Sequence, residues 1–548
     1  MTKRQYHQSK SAKRQKNALK PAYDGSNEEV LLIDVKSLLS RLKPEDLTPE
    51  SQPGNVAERT SAKPYAPPER FSEIEVTISE ISSTGDGLGL SSTSDHVCVV
   101  PFTLAGDIVK AKVVNHFPQA NYTLTDFIKV IEPAPQRNDS LAKCPYFSKC
   151  AGCQIQMLPY ELQLQHKKII VEKAFRNFST LTPEVIPTVA DTIGSPLQYG
   201  YRTKLTPHFD GPPGSMSRRS KRDPSQRKGF ESVPPIGFNE KGTRKTIDIE
   251  DCPIGTGAVR EGLKRERKKV AKEIAKYTKG ATILLRENTL RRPTTPQTDR
   301  DSPNDILAAS HAADGTIVES EGHCVNDDDG IASTFMDEKT CITDQRAIST
   351  EYIDNFEFKN TAGAFFQNNN SILPKFTAYV RNNIIPKGKA EKEASEPIEY
   401  LIDAYCGSGL FTITLSSIFK SSMGIDIAGA SIVSAKENAS ANNVANAAFI
   451  TADASKLFEQ VKYPPERTAV IIDPPRKGCD DAFLQQLLKF GPRRVVYVSC
   501  NVHTQARDVG VLVEGVGNCR YEIESLQGFD FFPQTGHVEG VAILSRSS

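Results

Sequence analysis

The chain's 548 residues are 38% hydrophobic and 25% charged, with a formal net charge of +1, the composition of a soluble globular protein of about three or four domains. No apolar run approaches the roughly 20 residues of a membrane span, and the opening MTKRQYHQSKSAKRQKNALK lacks the apolar core of a secretory signal. Eleven cysteines over this length exclude a dense disulfide scaffold and fit a reducing, intracellular compartment.

Residues 1–69 are polar and basic, then proline-containing (KPYAPPER), and read as a mostly disordered basic tail. Lys3–Lys20 holds seven Lys/Arg and no acid; this nuclear-localisation-like run points to nucleus and/or cytoplasm, with the mitochondrion left open. Residues 70–133 change character. FSEIEVTISEIS, GDGLGL, DHVCVVPF, AGDIVKAKVVNHF and YTLTDFIKVIE are short β-type runs punctuated by Gly and Asp-Gly turns, which predict a small β-barrel. Within it, VPFTLAGD resembles the turn into a strand of the TRAM domain, an OB-like RNA-binding module.

Residues 134–360 form a mixed central domain. RRPTTPQTDRDSPND and the acidic SEGHCVNDDDGIAS read as loop insertions, being polar, unperiodic and rich in turn formers. Two further basic blocks, RRSKRDPSQRK (Arg218–Lys228) and the predicted helix GLKRERKKVAKEIAKY, are either solvated faces or an electrostatic footprint for nucleic acid.

From 361 to 548 the pattern is regular. The strand-like runs YLIDAY, SMGIDI, AAFITA, TAVIIDPP and RRVVYVSC alternate with helical stretches such as GASIVSAKENASANN and DDAFLQQLLKFG. This order predicts an α/β, doubly wound parallel sheet of Rossmann-like type. RYEIESLQGFDFFP and GVAILSR close it with a β-hairpin typical of class I methyltransferases.

IDAYCGSGLFT places Gly407 and Gly409 between a strand and a helix, where glycine permits a tight turn and close ligand approach. Asp426 ends the second strand, placed to accept from ribose hydroxyls; Asp453, after the third, is either beside an adenine or a surface acid. With the terminal hairpin, these favour S-adenosylmethionine over a dinucleotide. Asp473 in Asp473-Pro474-Pro475-Arg476 ends the fourth strand and points to the same crevice.

Cys500 ends the fifth strand. It is either a small packing residue or a nucleophile beside the methyl donor. Uracil C5 is a poor nucleophile, and thiolate addition at C6 makes an enolate whose C5 can attack a methyl sulfonium. The thiolate needs a positive neighbour, for which His503, Arg507 and Arg476 are the candidates. A base must then remove the C5 proton; Glu539 is the candidate, with His537 its rival.

FFQNN, DAYCGSG, GIDIAGASI, DPPRKG, YVSCNVHTQARD and FPQTGHVE stand in the order that resembles the RNA uridine-5-methyltransferase family, the tRNA and 23S rRNA uracil-C5 enzymes. The resemblance spans roughly residues 71–548 and is weakest over Ala134–Asn360. It implies Cys500 as nucleophile, Glu539 as base, and Gln367, Tyr405, Asp426 and Asp473 at cofactor- and base-binding positions. Leu410 departs from the polar residue many relatives carry after the glycine loop.

Cys144, Cys150 and Cys153 in KCPYFSKCAGCQIQ, with Cys252, have the spacing of ligands to a [4Fe-4S] cluster or zinc, unless they are structural thiols. The spacing is similar to the iron–sulfur site of the family's rRNA branch, which some tRNA-specific relatives lack. Cys98, Cys324, Cys341, Cys479 and Cys519 read as packing or loop residues, and Cys406 as structural. The resulting expectation is S-adenosylmethionine-dependent methylation of the T-loop uridine (position 54) of tRNA. The partner is RNA, with no membrane and no obligate protein partner evident. The alternatives are an rRNA uridine-5-methyltransferase or a non-catalytic RNA-binding chaperone.

Overall fold

The computed structural model describes residues 25–42, 67–91, 94–212, 229–293, 310–311, 317–326, 332–386, 396–452, 458 and 461–547. The basic blocks Lys3–Lys20 and Arg218–Lys228, and Asp453, lie outside the described residues.

Strands β1 (Glu73–Ile81), β2 (Gly87–Ser91), β3 (Ser94–Val100), β4 (Ile108–Phe117) and β5 (Tyr122–Glu132) close into a barrel in the order β1-β2-β3-β5-β4. The period-2 alternation of a strand sends Val76, Ile78, Cys98, Val100, Val109 and Ala111 into one core. On β3 the intervening Val97 and Val99 are buried too, because a helix covers the outer face.

That helix falls inside residues 1–69, read from sequence as a mostly disordered tail, and is a packed element within it. Helix α1 (Asn27–Arg41) packs Leu31, Val35 and Leu38 against Leu88, Val97, Val99 and Tyr122. Ser26 caps it by accepting from the Glu29 N–H. A window average dominated by the polar flanks hides this short apolar stripe. Residues 1–24 and 43–66 lie outside the described residues.

A correction concerns the acidic segment read as a loop insertion. Ile317–Asn326 and Ala332–Ile342 pair as an antiparallel hairpin that joins Leu285–Pro293 and Lys204–Leu205 in one sheet. Cross-strand pairs support it: Arg291 with Asp337 at 2.8 Å, and Arg292 with Glu338 at 3.2 Å. Opposite charges across a ladder do not show in a local hydropathy reading. Helix α2 (Tyr160–Phe178) and the basic α3 (Gly257–Glu273) complete the central region.

The seven-stranded C-terminal sheet consists of β6 (Tyr400–Ala404), β7 (Ser421–Asp426), β8 (Ala447–Thr451), β9 (Thr468–Ile472), β10 (Arg494–Ser499), β11 (Tyr521–Phe529) and β12 (Glu539–Arg546). Their order is β8-β7-β6-β9-β10-β12-β11, with the first five parallel and β12 antiparallel to both neighbours. Its helices are α4 (Leu373–Ile384), α5 (Leu410–Thr414), α6 (Gly429–Ala441), α7 (Asp481–Phe490) and α8 (Val502–Glu514). Both faces are covered, so the central strands read as unbroken apolar runs. Ile402, Val470 and Val495 face α7, α8 and α2, whereas Leu401, Ala469 and Val496 face α4 and α5. The crevice therefore opens at the carboxyl ends of β6, β7, β9 and β10.

Candidate active site

The loop leaving β6 turns through left-handed backbone at Tyr405 (φ 66°), Gly407 (54°) and Gly409 (93°). Asp426, at the end of β7, closes it: Oδ2 accepts from the Gly407 N–H at 3.0 Å and Oδ1 from the Ala428 N–H at 2.7 Å. The Tyr405 ring turns away from the loop onto Phe483, 5.4 Å between centroids, and its hydroxyl hydrogen bonds Cys479. Tyr405 thus shapes the loop through its backbone. Gln367 is buried two residues after Phe365, which is 77% exposed. Lys204 Nζ pins this loop by donating to the carbonyls of Gly363 and Ala364 at 3.1 and 2.9 Å.

Asp403, inside β6, is a site residue that sequence reasoning passed over. Its Oδ2 accepts from the Thr412 N–H at 2.9 Å and hydroxyl at 2.6 Å, while Oδ1 is buried with no partner among the described residues. Burial pushes its carboxyl up to about 7. An acid within the apolar run YLIDAY was the available signal.

Cys500 and Glu539 are brought together by strand register. Ser499 with Gly540 is the last pair of the β10–β12 ladder; Cys500 and Glu539 are the adjoining residues, close enough for the Glu539 charge to act on the thiol. Glu539 is 1% exposed, and its carboxyl is held well above the usual range by burial and by Asp473, with Arg476 opposing. Asp473 is itself pushed up to about 7, by enclosure in protein and then by Asp403. The Cys500 thiol is pushed up to about 12 by burial, Glu539 and Asp473, while Arg476, which hydrogen bonds it, works the other way.

Of the three cations offered by sequence, Arg476 is therefore the one at the thiol. His503 faces α2: its ring packs edge-on against Phe178 at 5.0 Å, and burial holds it neutral, down to about 3. Arg507 is engaged by Asp508 Oδ1 at 2.7 Å and by the Lys477 carbonyl at 3.1 Å. His537 opens to solvent at the crevice wall; the surrounding protein, then Arg476 and Lys167, hold its pKa down to about 4. Arg476 is fixed in turn from α8, its carbonyl accepting from Asn501 Nδ2 at 2.9 Å and Thr504 Oγ1 at 3.2 Å.

Cys144, Cys150, Cys153 and Cys252 lie within electrostatic reach of one another. Backbone N–H groups already address three of the sulfurs: Tyr146 and Phe147 at Cys144, Gly152 at Cys150 (3.4 Å) and Ile254 at Cys252. Among the described residues no three Cys, His, Asp or Glu side chains are arranged to hold a single metal ion.

The family model described as tRNA (Uracil-5-)-methyltransferase matches residues 338–547, and the TRAM domain matches residues 67–116. A tRNA (uracil(54)-C(5))-methyltransferase of Schizosaccharomyces pombe is 43% identical over 532 residues, 97% of this chain and 85% of that protein. Its counterpart in Saccharomyces cerevisiae is 41% identical, covering 86% of this chain and 73% of that one. The fold is shared with the Pyrococcus abyssi tRNA (uracil-54, C5)-methyltransferase, solved in complex with S-adenosyl-L-homocysteine. That match has a TM-score of 0.56 and 22% identity, covering 86% of this chain and all of the other. With the barrel, the sheet order and the paired Cys500 and Glu539 in place, this likeness along nearly the whole chain identifies the protein as a member of the tRNA (uracil-5-)-methyltransferase family.

Proposed function

We propose that the protein transfers the methyl group of S-adenosylmethionine to C5 of the T-loop uridine, position 54, of tRNA through a covalent Cys500 adduct. The observation that supports it above all others is the convergence of Cys500, Arg476, Asp473 and Glu539 beside the glycine loop. Gln367, Tyr405, Asp426 and Asp473 are the proposed cofactor- and base-binding positions, with Tyr405 acting through its backbone. The relatives above favour tRNA over rRNA, and a non-catalytic chaperone has no use for a buried acid opposite a strand-end thiol.

In this reading the Cys500 thiol gives its proton to solvent and Arg476 stabilises the thiolate, whose sulfur bonds to uracil C6 while the C5–C6 π pair becomes the C4–C5 double bond and the C4–O4 π pair moves onto O4. The enolate C5 attacks the methyl carbon, breaking the sulfonium S–CH3 bond and leaving a neutral thioether. Burial and Asp473 favour the protonated form of Glu539, which must ionise to act. A sulfonium cation bound beside the two carboxyls would lower both pKa values, so that Glu539 gives its proton to solvent before the methyl group moves. Glu539 then takes the C5 proton, the C5–C6 double bond re-forms, and the C6–S bond breaks to release the thiolate. The target base is flipped out of its loop to reach the thiol, with barrel and basic surfaces gripping phosphates. Cys500→Ala should abolish both turnover and adduct; 5-methyluridine formed by that variant would overturn the mechanism.

The four clustered thiols are proposed as ligands of a [4Fe-4S] cluster. They are soft donors with N–H groups aimed at the sulfurs, and lack the geometry for a lone ion. Such a group would tie the 144–153 loop to the turn at 252, a structural task. Iron and acid-labile sulfide in the anaerobically purified protein support this, and their absence counts against it. Among the described residues no helix is long and apolar enough to cross a membrane; the basic leader supports nucleus and/or cytoplasm, to be tested by imaging the tagged full chain.

A further inference from the structure

Helix α1 lies ahead of both matched family regions, which begin at residues 67 and 338, yet its N-terminal end touches the catalytic loops. The Gly25 carbonyl accepts from Asn501 Nδ2 at 3.0 Å, and the same nitrogen donates to the Arg476 carbonyl at 2.9 Å. Asn501 follows Cys500 directly and caps α8 through its side chain. The fit at Gly25 is close: its φ is +71°, and a Cβ there would meet Thr504 Cγ2 at 2.2 Å and Asn501 Nδ2 at 2.8 Å. The start of α1 is fixed locally, because Glu29 Oε2 accepts from the Gly25 N–H at 2.6 Å. Its middle is anchored to the barrel side by Asp34, 2% exposed, which accepts from the Ser83 N–H at 2.6 Å, and by the apolar stripe on β3.

We propose that residues 25–41 are a positioning strap, holding Asn501 so that the Arg476 loop and the Cys500 turn stay in reacting alignment. This rests on the Cys500 and Arg476 reading above. A helix seated on the RNA-binding barrel thereby sets the geometry of the nucleophile, so barrel and catalytic sheet act as one body during methyl transfer. None of the strap's residues reaches the reacting atoms; its effect passes through Asn501 and Thr504.

The experiment is a double-variant cycle in the full-length protein, with kcat and the KM for tRNA measured separately. Gly25→Ala is expected to lower kcat by about tenfold, since small misplacements of reacting groups are costly, with KM within about twofold of the parent. Adding Thr504→Ser removes the clashing Cγ2 but keeps the hydroxyl bond to Arg476, and is expected to restore part of the loss, the Asn501 contact and the positive φ remaining. Full kcat in Gly25→Ala or a rise in KM alone would each overturn the strap. Should Gly25→Ala fail to fold, Val35→Ala loosens α1 on the barrel, remote from Cys500; a reduced kcat with normal S-adenosylmethionine binding supports the proposal, and an unchanged kcat overturns it. Cys500→Ala run in parallel separates the two readings: if it still makes 5-methyluridine the nucleophile assignment fails, whereas a dead Cys500→Ala beside a full-speed Gly25→Ala removes only the strap.

Discussion

Burial and then Asp473 drive the carboxyl pKa of Glu539 upward, and Arg476 opposes them. The acid proposed to remove the C5 proton is thus biased toward its protonated form, and its ionisation depends on the charge next to it.

The sign of the resulting pH dependence is fixed. Glu539 has a raised pKa and is useful only when ionised, so turnover climbs as pH rises through that pKa. Asp473→Asn removes the negative neighbour, lowers the Glu539 pKa and moves the acid limb of single-turnover release of 5-methyluridine RNA from the adduct to lower pH. Rates measured from about pH 5 to 9 at saturating S-adenosylmethionine decide it; a limb that stays in place shows that Asp473 does not control Glu539.

Glu539→Gln keeps the shape of the side chain but cannot accept the proton. Turnover should fall by about 10²–10⁴-fold, with a methylated protein–RNA complex accumulating that survives denaturing gels. Disappearance of the adduct instead would place Glu539 before methyl transfer.

Arg476→Met removes the cation that opposes the rise in the Cys500 pKa. A smaller thiolate fraction at fixed pH should slow iodoacetamide alkylation of Cys500, by about tenfold for each unit of added pKa. The same substitution should leave alkylation of Cys519, whose pKa is shifted by burial and by Arg546 instead, at its former rate.

Lys167 and Asp530 form a fully buried ion pair at the start of the loop that leads to Glu539. Tyr160 adds a bond to Asp530 Oδ2 at 2.9 Å, and Lys167 reaches the Phe532 carbonyl at 2.9 Å. Asp530→Ala leaves the ammonium without its counter-charge and should cost about 3–5 kcal/mol, read from urea unfolding. A pair replaced on both sides, Lys167→Met with Asp530→Leu, should cost much less.

The motif residues were legible in the sequence because each belongs to a short segment whose order is fixed by the alternating strands and helices. Cys500, Asp473 and Asp426 all end strands of a parallel sheet, and such ends share one crevice. Which of the three cations stands at the thiol was not legible. His503 is nearest to Cys500 along the chain, yet the first turn of α8 carries it to Phe178, while Arg476 arrives from the preceding strand's loop. Asp403 escaped notice because an acid inside a strand looks like an interruption until its bonds to Thr412 are seen. Helix α1 was hidden for a different reason: its apolar stripe is short, and what stabilises it is the outer face of β3, distant in sequence.

The ladder between β10 and β12 has a consequence for how such an enzyme can change over generations. The proposed nucleophile and base are held by the register of neighbouring strands, not by the connection from 530 to 538. That connection is itself buried at Asp530, Phe531 and Gln534, so a change within it disturbs its packing on α2 while the register of the two groups stays as the sheet dictates. A single residue inserted within either strand would do the opposite, moving one partner to the far face and ending the chemistry at a stroke.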